Sequence, residues 1–166
     1  LIVGGNDTTR TSLSALVEAF DTYPDQLERL RADPSLIHNA AQEIVRWQSP
    51  VTHMRRTALE DTELGGQTIR KGEKVVMWYI SANRDERVFP DAERFDVSRS
   101  NARRHLGFGH GIHSCVGAKL AENQLATLIE EIVSRQIRIV PQGTPERLPS
   151  PFLHGFTQMP VRIEPL

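Results

Sequence analysis

The sequence has one cysteine in 166 residues, 6% aromatic side chains and no excess of charge of either sign. A lone cysteine, Cys115, cannot form an internal disulfide, so nothing speaks for export and a reducing cytoplasm is the expected compartment. With 20 basic against 21 acidic residues, the net charge of -1 supplies no overall field that would draw the chain to nucleic acid or to an anionic membrane. No uninterrupted apolar run approaches the roughly 20 residues that span a bilayer. Internal repeats and low-complexity tracts are also missing. The opening, Leu1-Ile2-Val3-Gly4-Gly5, has no initiator Met, no basic leader and no cleavage-site pattern. It reads as a helix entered partway, and the chain is expected to be the C-terminal part of one domain whose N-terminal part is absent.

What is present is ordinary globular composition, 39% hydrophobic and 25% charged. Periodicity divides the chain into helices first and short strands later, which predicts a mainly α fold with small β-sheets (α+β). Leu13, Leu16, Val17 and Phe20 place a helix over residues 1–20. A short polar helix follows from Asp25 to Arg31. Ile37, Ala41, Ile44 and Val45 form one face of a helix over 36–48, which Ser49-Pro50 ends. A small sheet is expected over 51–79, punctuated by Gly65-Gly66 and Lys71-Gly72. Residues 83–104 show neither period and read as a long ordered loop. After a Gly-rich stretch, Val116, Leu120, Leu125, Leu128, Ile129, Ile132 and Val133 predict an amphipathic helix over 116–134. Ile137–Val140 reads as a strand, and 151–164 as a terminal hairpin joining 152–156 to 161–163.

The Gly-rich stretch, Phe108-Gly109-His110-Gly111-Ile112-His113-Ser114-Cys115-Val116-Gly117, puts the cysteine just before the strongest helix. The start of a helix offers partial positive charge and free N–H groups, which stabilise a sulfur anion. Glycines let the backbone approach a flat ligand without an intervening Cβ. Taken alone, the cysteine also fits a buried inert thiol, or a nucleophile using His113 or His110 as base.

This stretch resembles the haem-binding signature of the cytochrome P-450 family at Phe108, Gly111, His113, Cys115 and Gly117. Three further segments resemble the same family in the same order. Gly4-Gly5-Asn6-Asp7-Thr8-Thr9 is similar to its oxygen-activating helix, and Glu43-Ile44-Val45-Arg46 to its Glu-x-x-Arg pair. Ala92-Glu93-Arg94-Phe95 is similar to the loop that supplies a second arginine. The resemblance implies the C-terminal haem-binding part of the cytochrome P-450 fold. It implies Cys115 as ligand to the iron of haem b, in the Cys-ligand loop 105–115. Phe108, Gly109, Gly117, Gly4 and Gly5 would lie against the haem, with Arg56, His113 and, more weakly, His105 pairing with its propionates. Asp7 and Thr8 would be the catalytic pair that handles protons. Glu43, Arg46 and Arg94 would form a structural triad.

The implied activity is that of a haem-thiolate monooxygenase, an oxidoreductase that uses O2 as co-substrate. Electrons would come from NAD(P)H through ferredoxin reductase and ferredoxin, the latter docking at Arg103, Arg104 and Lys119. Within the family, Gly4–Arg10, Arg46–Arg56 and Phe152–Phe156 look most like the soluble bacterial terminal alkane and fatty-acid hydroxylases. Sterol side-chain oxidisers share much of the second stretch. Val51, Thr52, Met54, Phe152 and Leu153 are the expected substrate-lining residues. A haem-binding or sensor module without turnover is the alternative of another class; the presence of Asp7 and Thr8 weighs against it.

Overall fold

The computed structural model describes residues 2–166, with the backbone alone at Ile2 and Val3; the Leu1 end of the expected opening helix lies outside the described residues. Helix α1 runs Ile2–Thr22 and buries Ala15, Leu16, Ala19 and Phe20, an i, i+1, i+4, i+5 stripe at helical spacing. Pro24, at the first position of α2 (Pro24–Ala32), restarts the chain in a new direction, because proline there gives up only an N–H that has no partner. A 3₁₀ turn at Pro34–Leu36 leads into α3 (Ile37–Gln48). Ser49, in the left-handed conformation at φ 48°, ends α3 and returns its N–H to the carbonyl of Val45.

The small sheet expected over 51–79 is two separate antiparallel pairs. Strand β1 (His53–Thr57) pairs with β4 (Lys74–Trp78), and β2 (Thr62–Leu64) pairs with β3 (Gln67–Ile69) across Gly65-Gly66, both at positive φ. A single-turn helix α4 (Tyr79–Ala82) then opens the long loop. That loop is irregular but ordered: Phe89, Ala92, Phe95, Val97 and Ala102 are buried, and a 3₁₀ turn spans Ala102–Arg104. Helix α5 covers Ala118–Ser134. Leu125, Ala126, Ile129 and Ile132 enter a common core with α1, α2 and α3, where Phe95 meets the rings of Phe20 and Trp47 edge-on.

Two expectations fail here. Val116 and Leu120 are 89% and 66% exposed, so the first turn of α5 does not share the stripe that begins at Leu125. The helix also starts two residues later than its hydrophobic pattern suggests, since Gly117 is its cap. The terminal hairpin does not form either. β7 (Phe156–Gln158) pairs with β6 (Glu146–Arg147), whereas β8 (Val161–Pro165) pairs with β5 (Ile137–Pro141). Met159-Pro160 is the two-residue link between β7 and β8. Proline holds φ near −65° and so cannot enter the positive-φ turns that close a two-residue hairpin. The chain therefore crosses to a second partner, and Ile139 meets Ile163 there.

Candidate cofactor site

Cys115 lies at the junction of the Gly-rich loop and α5. Its N–H donates to the carbonyl of Phe108 (2.8 Å) and its carbonyl accepts from Ala118 N (3.3 Å), so the segment from 108 to 115 is a closed loop seated on the start of the helix. The thiol itself is exposed and makes no hydrogen bond among the described residues. Two glycines give the loop its shape. Gly109 has φ +69°, and a Cβ there would sit 3.2 Å from the carbonyl oxygen of His113 and 3.7 Å from the hydroxyl of Tyr79. At Gly107 a Cβ would overlap the Val45 side chain at 2.6 Å, so this glycine lets the loop press on α3. Phe108 anchors the same stretch by packing against the core, and Gly117 caps α5 with its Cβ position 3.9 Å from the sulfur.

Ile112, Val116 and Leu120, close to Cys115 in sequence, are exposed, and His113 is exposed on a 3₁₀ turn at Gly111–His113. An exposed sulfur approached by glycine backbone, with exposed apolar residues and a histidine close by in sequence, fits a flat, hydrophobic, anionic ligand such as haem.

Arg56 is half-buried on β1, opposite Val75, and Met54 two residues before it lies on the same face, opposite Met77. If Arg56 faces the ligand, Met54 does too. The other lining expectations divide. Val51 bridges to Leu153, so the end of α3 and the terminal segment are brought together. The Phe152 ring packs edge-on against His53 at 5.8 Å, and His53 stacks on Trp78 at 4.7 Å, on the face of β1 away from Met54. Thr52 is buried, with its hydroxyl donating to Pro151 O at 2.6 Å. Thr52 is thus spent on internal bonds, while Phe152, Met54, Val51 and Leu153 remain at least partly exposed.

The expected triad is corrected at one member. Arg46 is fully buried and grips Glu43 with two bonds, Nε to Oε2 (2.7 Å) and Nη2 to Oε1 (2.8 Å). The second arginine is Arg99, whose Nε donates to Glu43 Oε1 at 3.0 Å. The Arg94 guanidinium instead pairs with Asp25 at 2.7 Å, both groups about half exposed, and only its backbone carbonyl enters the cluster, accepting from Arg46 and Arg99. Arg99 could have been found in Asp96-Val97-Ser98-Arg99, five residues on, but no local pattern separates the two arginines.

His105 is corrected as well. Its ring is buried; Nε2 donates to Gln42 Oε1 (3.1 Å) while Nδ1 accepts from Gly107 N–H (3.0 Å). Burial pushes its pKa down to about 4. A neutral ring with both nitrogens engaged is not a propionate partner; it holds the loop to α3.

On α1, Thr8 Oγ1 donates to Gly4 O one turn back (2.8 Å), and Asp7 pairs with Arg10 at 3.4 Å on an exposed face. Gly4 and Gly5 are exposed, with open space where a Cβ would stand. Arg103 and Arg104 are exposed, and Lys119 is 3.6 Å from Glu122.

Against known proteins, the family model described as cytochrome P-450 matches residues 1–165. Linalool 8-monooxygenase of Pseudomonas putida is 50% identical over 164 residues, covering 99% of this chain and 40% of that protein. A methyl-branched lipid omega-hydroxylase of Mycobacterium tuberculosis is 44% identical over 163 residues, covering 97% and 38%. The solved structure of CYP153D17 from Sphingomonas is 58% identical with a TM-score of 0.95, covering 99% of this chain and 41% of that one. The chain thus spans about 40% of the length of the first of these relatives.

Proposed function

The chain belongs to the cytochrome P-450 family, and from that we propose that it carries the haem-thiolate site of a monooxygenase acting on an apolar substrate, hydroxylating the terminal carbon of an alkane or fatty acid. The reaction takes a C–H bond, O2, two electrons and two protons to an alcohol and water. The observation that carries this reading is the free, exposed Cys115 thiol in a glycine-shaped loop at the start of α5. Cys115 would hold haem b through its sulfur, and the thiolate-ligated group would supply the oxygen activation when bound.

The residues of the chain supply binding and protons. Arg56 and His113 take the ligand carboxylates by charge-assisted bonds. On α1 the Thr8 hydroxyl, by giving its proton to Gly4 O, keeps its oxygen lone pairs for an incoming donor. Asp7, exposed and held by Arg10, collects protons from solvent and passes them towards Thr8 Oγ1. Met54, Val51 and Leu153 shape an apolar wall that excludes water and admits a hydrocarbon. Relatives named for omega-hydroxylation of a lipid and for 8-hydroxylation of linalool support an extended apolar substrate.

Electrons originate with NAD(P)H and arrive from ferredoxin and ferredoxin reductase, with Arg103 and Arg104 on the docking face. No described helix is long and apolar enough to cross a membrane. The test is turnover of dodecane and dodecanoic acid by the holoenzyme and its Thr8→Ala variant, with reductant use, peroxide and alcohol measured together. The reading expects a terminal alcohol from wild type, and from Thr8→Ala continued reductant use with peroxide in place of product. Tight coupling in the variant refutes the Thr8 role, and absence of product from wild type refutes the substrate class.

A further inference from the structure

We propose that Gly155 and Thr11 form a spacing contact that sets where the terminal segment sits over the oxygen-activating helix, and that this contact governs which carbon of the substrate is hydroxylated. The inference rests on the monooxygenase reading above. Thr11 is buried on α1, one turn beyond Thr8. A Cβ at Gly155 would stand 2.8 Å from Thr11 Oγ1, 3.8 Å from Thr11 Cγ2 and 3.8 Å from Leu148 Cδ2. Rotating Thr11 offers little relief, since a β-branched side chain in a helix is stiff at χ1 and swings one branch in as the other moves out. Backbone conformation is not the reason for the glycine, because its φ lies outside the positive range. The requirement is space alone.

On its other side the segment has no freedom to retreat. His154 N donates to Pro50 O (2.9 Å), Thr52 N to Phe152 O (3.0 Å), and the His154 ring Nδ1 to Gln48 O (2.7 Å). Gln48 Nε2 returns a bond to the His154 carbonyl. Leu148 N donates to Gly155 O at 2.9 Å, and the bridge between Val51 and Leu153 adds a further tie. Residues 148–155 are therefore tied to residues 48–52 after α3 while Gly155 lies against Thr11 of α1, and the gap at Gly155 fixes the spacing between the two. Adding one methyl group there closes the gap to Thr11 and loads the ties that hold residues 148–155.

The experiment compares the Gly155→Ala, Thr11→Ala and Gly155→Ala/Thr11→Ala holoenzymes on dodecane. Gly155→Ala is expected to change the ratio of terminal to subterminal alcohol by roughly tenfold, the lower end of what one methylene is worth in an apolar pocket. Removing the Thr11 branches should return the double variant to within about twofold of wild type. An unchanged ratio in Gly155→Ala, or a change that Thr11→Ala does not reverse, overturns the proposal. Amide exchange at Leu148 and His154 needs no substrate: faster exchange in Gly155→Ala, restored in the double variant, is expected. If wild type hydroxylates no apolar chain, the function falls, and unaltered exchange would sink the contact as well.

Discussion

Replacing Arg99 and Arg94 separately by alanine tests which guanidinium completes the Glu43 cluster. Arg99 is nearly buried and donates to Glu43 Oε1, Pro90 O (2.6 Å), Asp91 O (3.0 Å) and Arg94 O (3.0 Å). Its loss leaves a fully buried carboxylate with only Arg46 and Asp96 N as donors, and deprives the carbonyls of Pro90 and Asp91 of theirs. Breaking a buried pair of this kind costs about 3–5 kcal/mol. At roughly 2–4 °C per kcal/mol for a chain of this size, Arg99→Ala should lower the melting midpoint by roughly 6–20 °C. Arg94 pairs with Asp25 at the surface and lies over the Tyr23 ring at 5.6 Å. Exposed pairs contribute about 0–1 kcal/mol, so Arg94→Ala should shift the midpoint by no more than about 4 °C. The assay is thermal unfolding of the holoenzyme followed by circular dichroism, with release of bound haem as a second probe. Equal shifts, or a larger one for Arg94→Ala, would refute the assignment.

Two further outcomes follow from the same geometry. His105, with its folded pKa about 4 against 6.5 for an ordinary histidine, binds fewer protons folded than unfolded between those values. Its contribution to stability, at most about 3 kcal/mol, is complete above pH 6.5 and is lost as pH falls towards 4; denaturant titrations of wild type and His105→Asn should converge across that window. Gly107→Ala places a methyl group 2.6 Å from Val45 Cγ1 and 3.1 Å from its carbonyl oxygen, and should cost about 1–3 kcal/mol and speed haem transfer to apomyoglobin. Unchanged transfer would mean that the cysteine loop does not depend on its seat on α3.

Helices α1, α3 and α5 were legible because each buries a stripe at 3.6-residue spacing, and the cysteine loop because its chemistry is spelled out in consecutive residues. Pairings between distant segments were not. Nothing local to residues 156–158 or 161–165 says that they find different partners, because the choice turns on Pro160 and on what Ile139 and Arg147 offer far away in sequence. Val116 and Leu120 misled for a related reason: periodicity reports an apolar face and not what covers it. The sequence positions of His105 and Thr52 suggest a ligand-facing role, whereas both side chains are spent on internal bonds that only the fold reveals.

Arg46 and Arg99 reach the long loop through the carbonyls of Asn83, Pro90, Asp91, Ala92 and Arg94. A carbonyl is the same whichever side chain it belongs to. The two arginines thus read the path of the chain through its carbonyls, so the exposed side chain at 94 is free to change while the route is kept, whereas Ala92 is buried and Asp91 stands at φ 52°. Such a loop resists insertion: one extra residue between 90 and 94 would move several acceptors out of reach at once, where a change of the Arg94 side chain moves none.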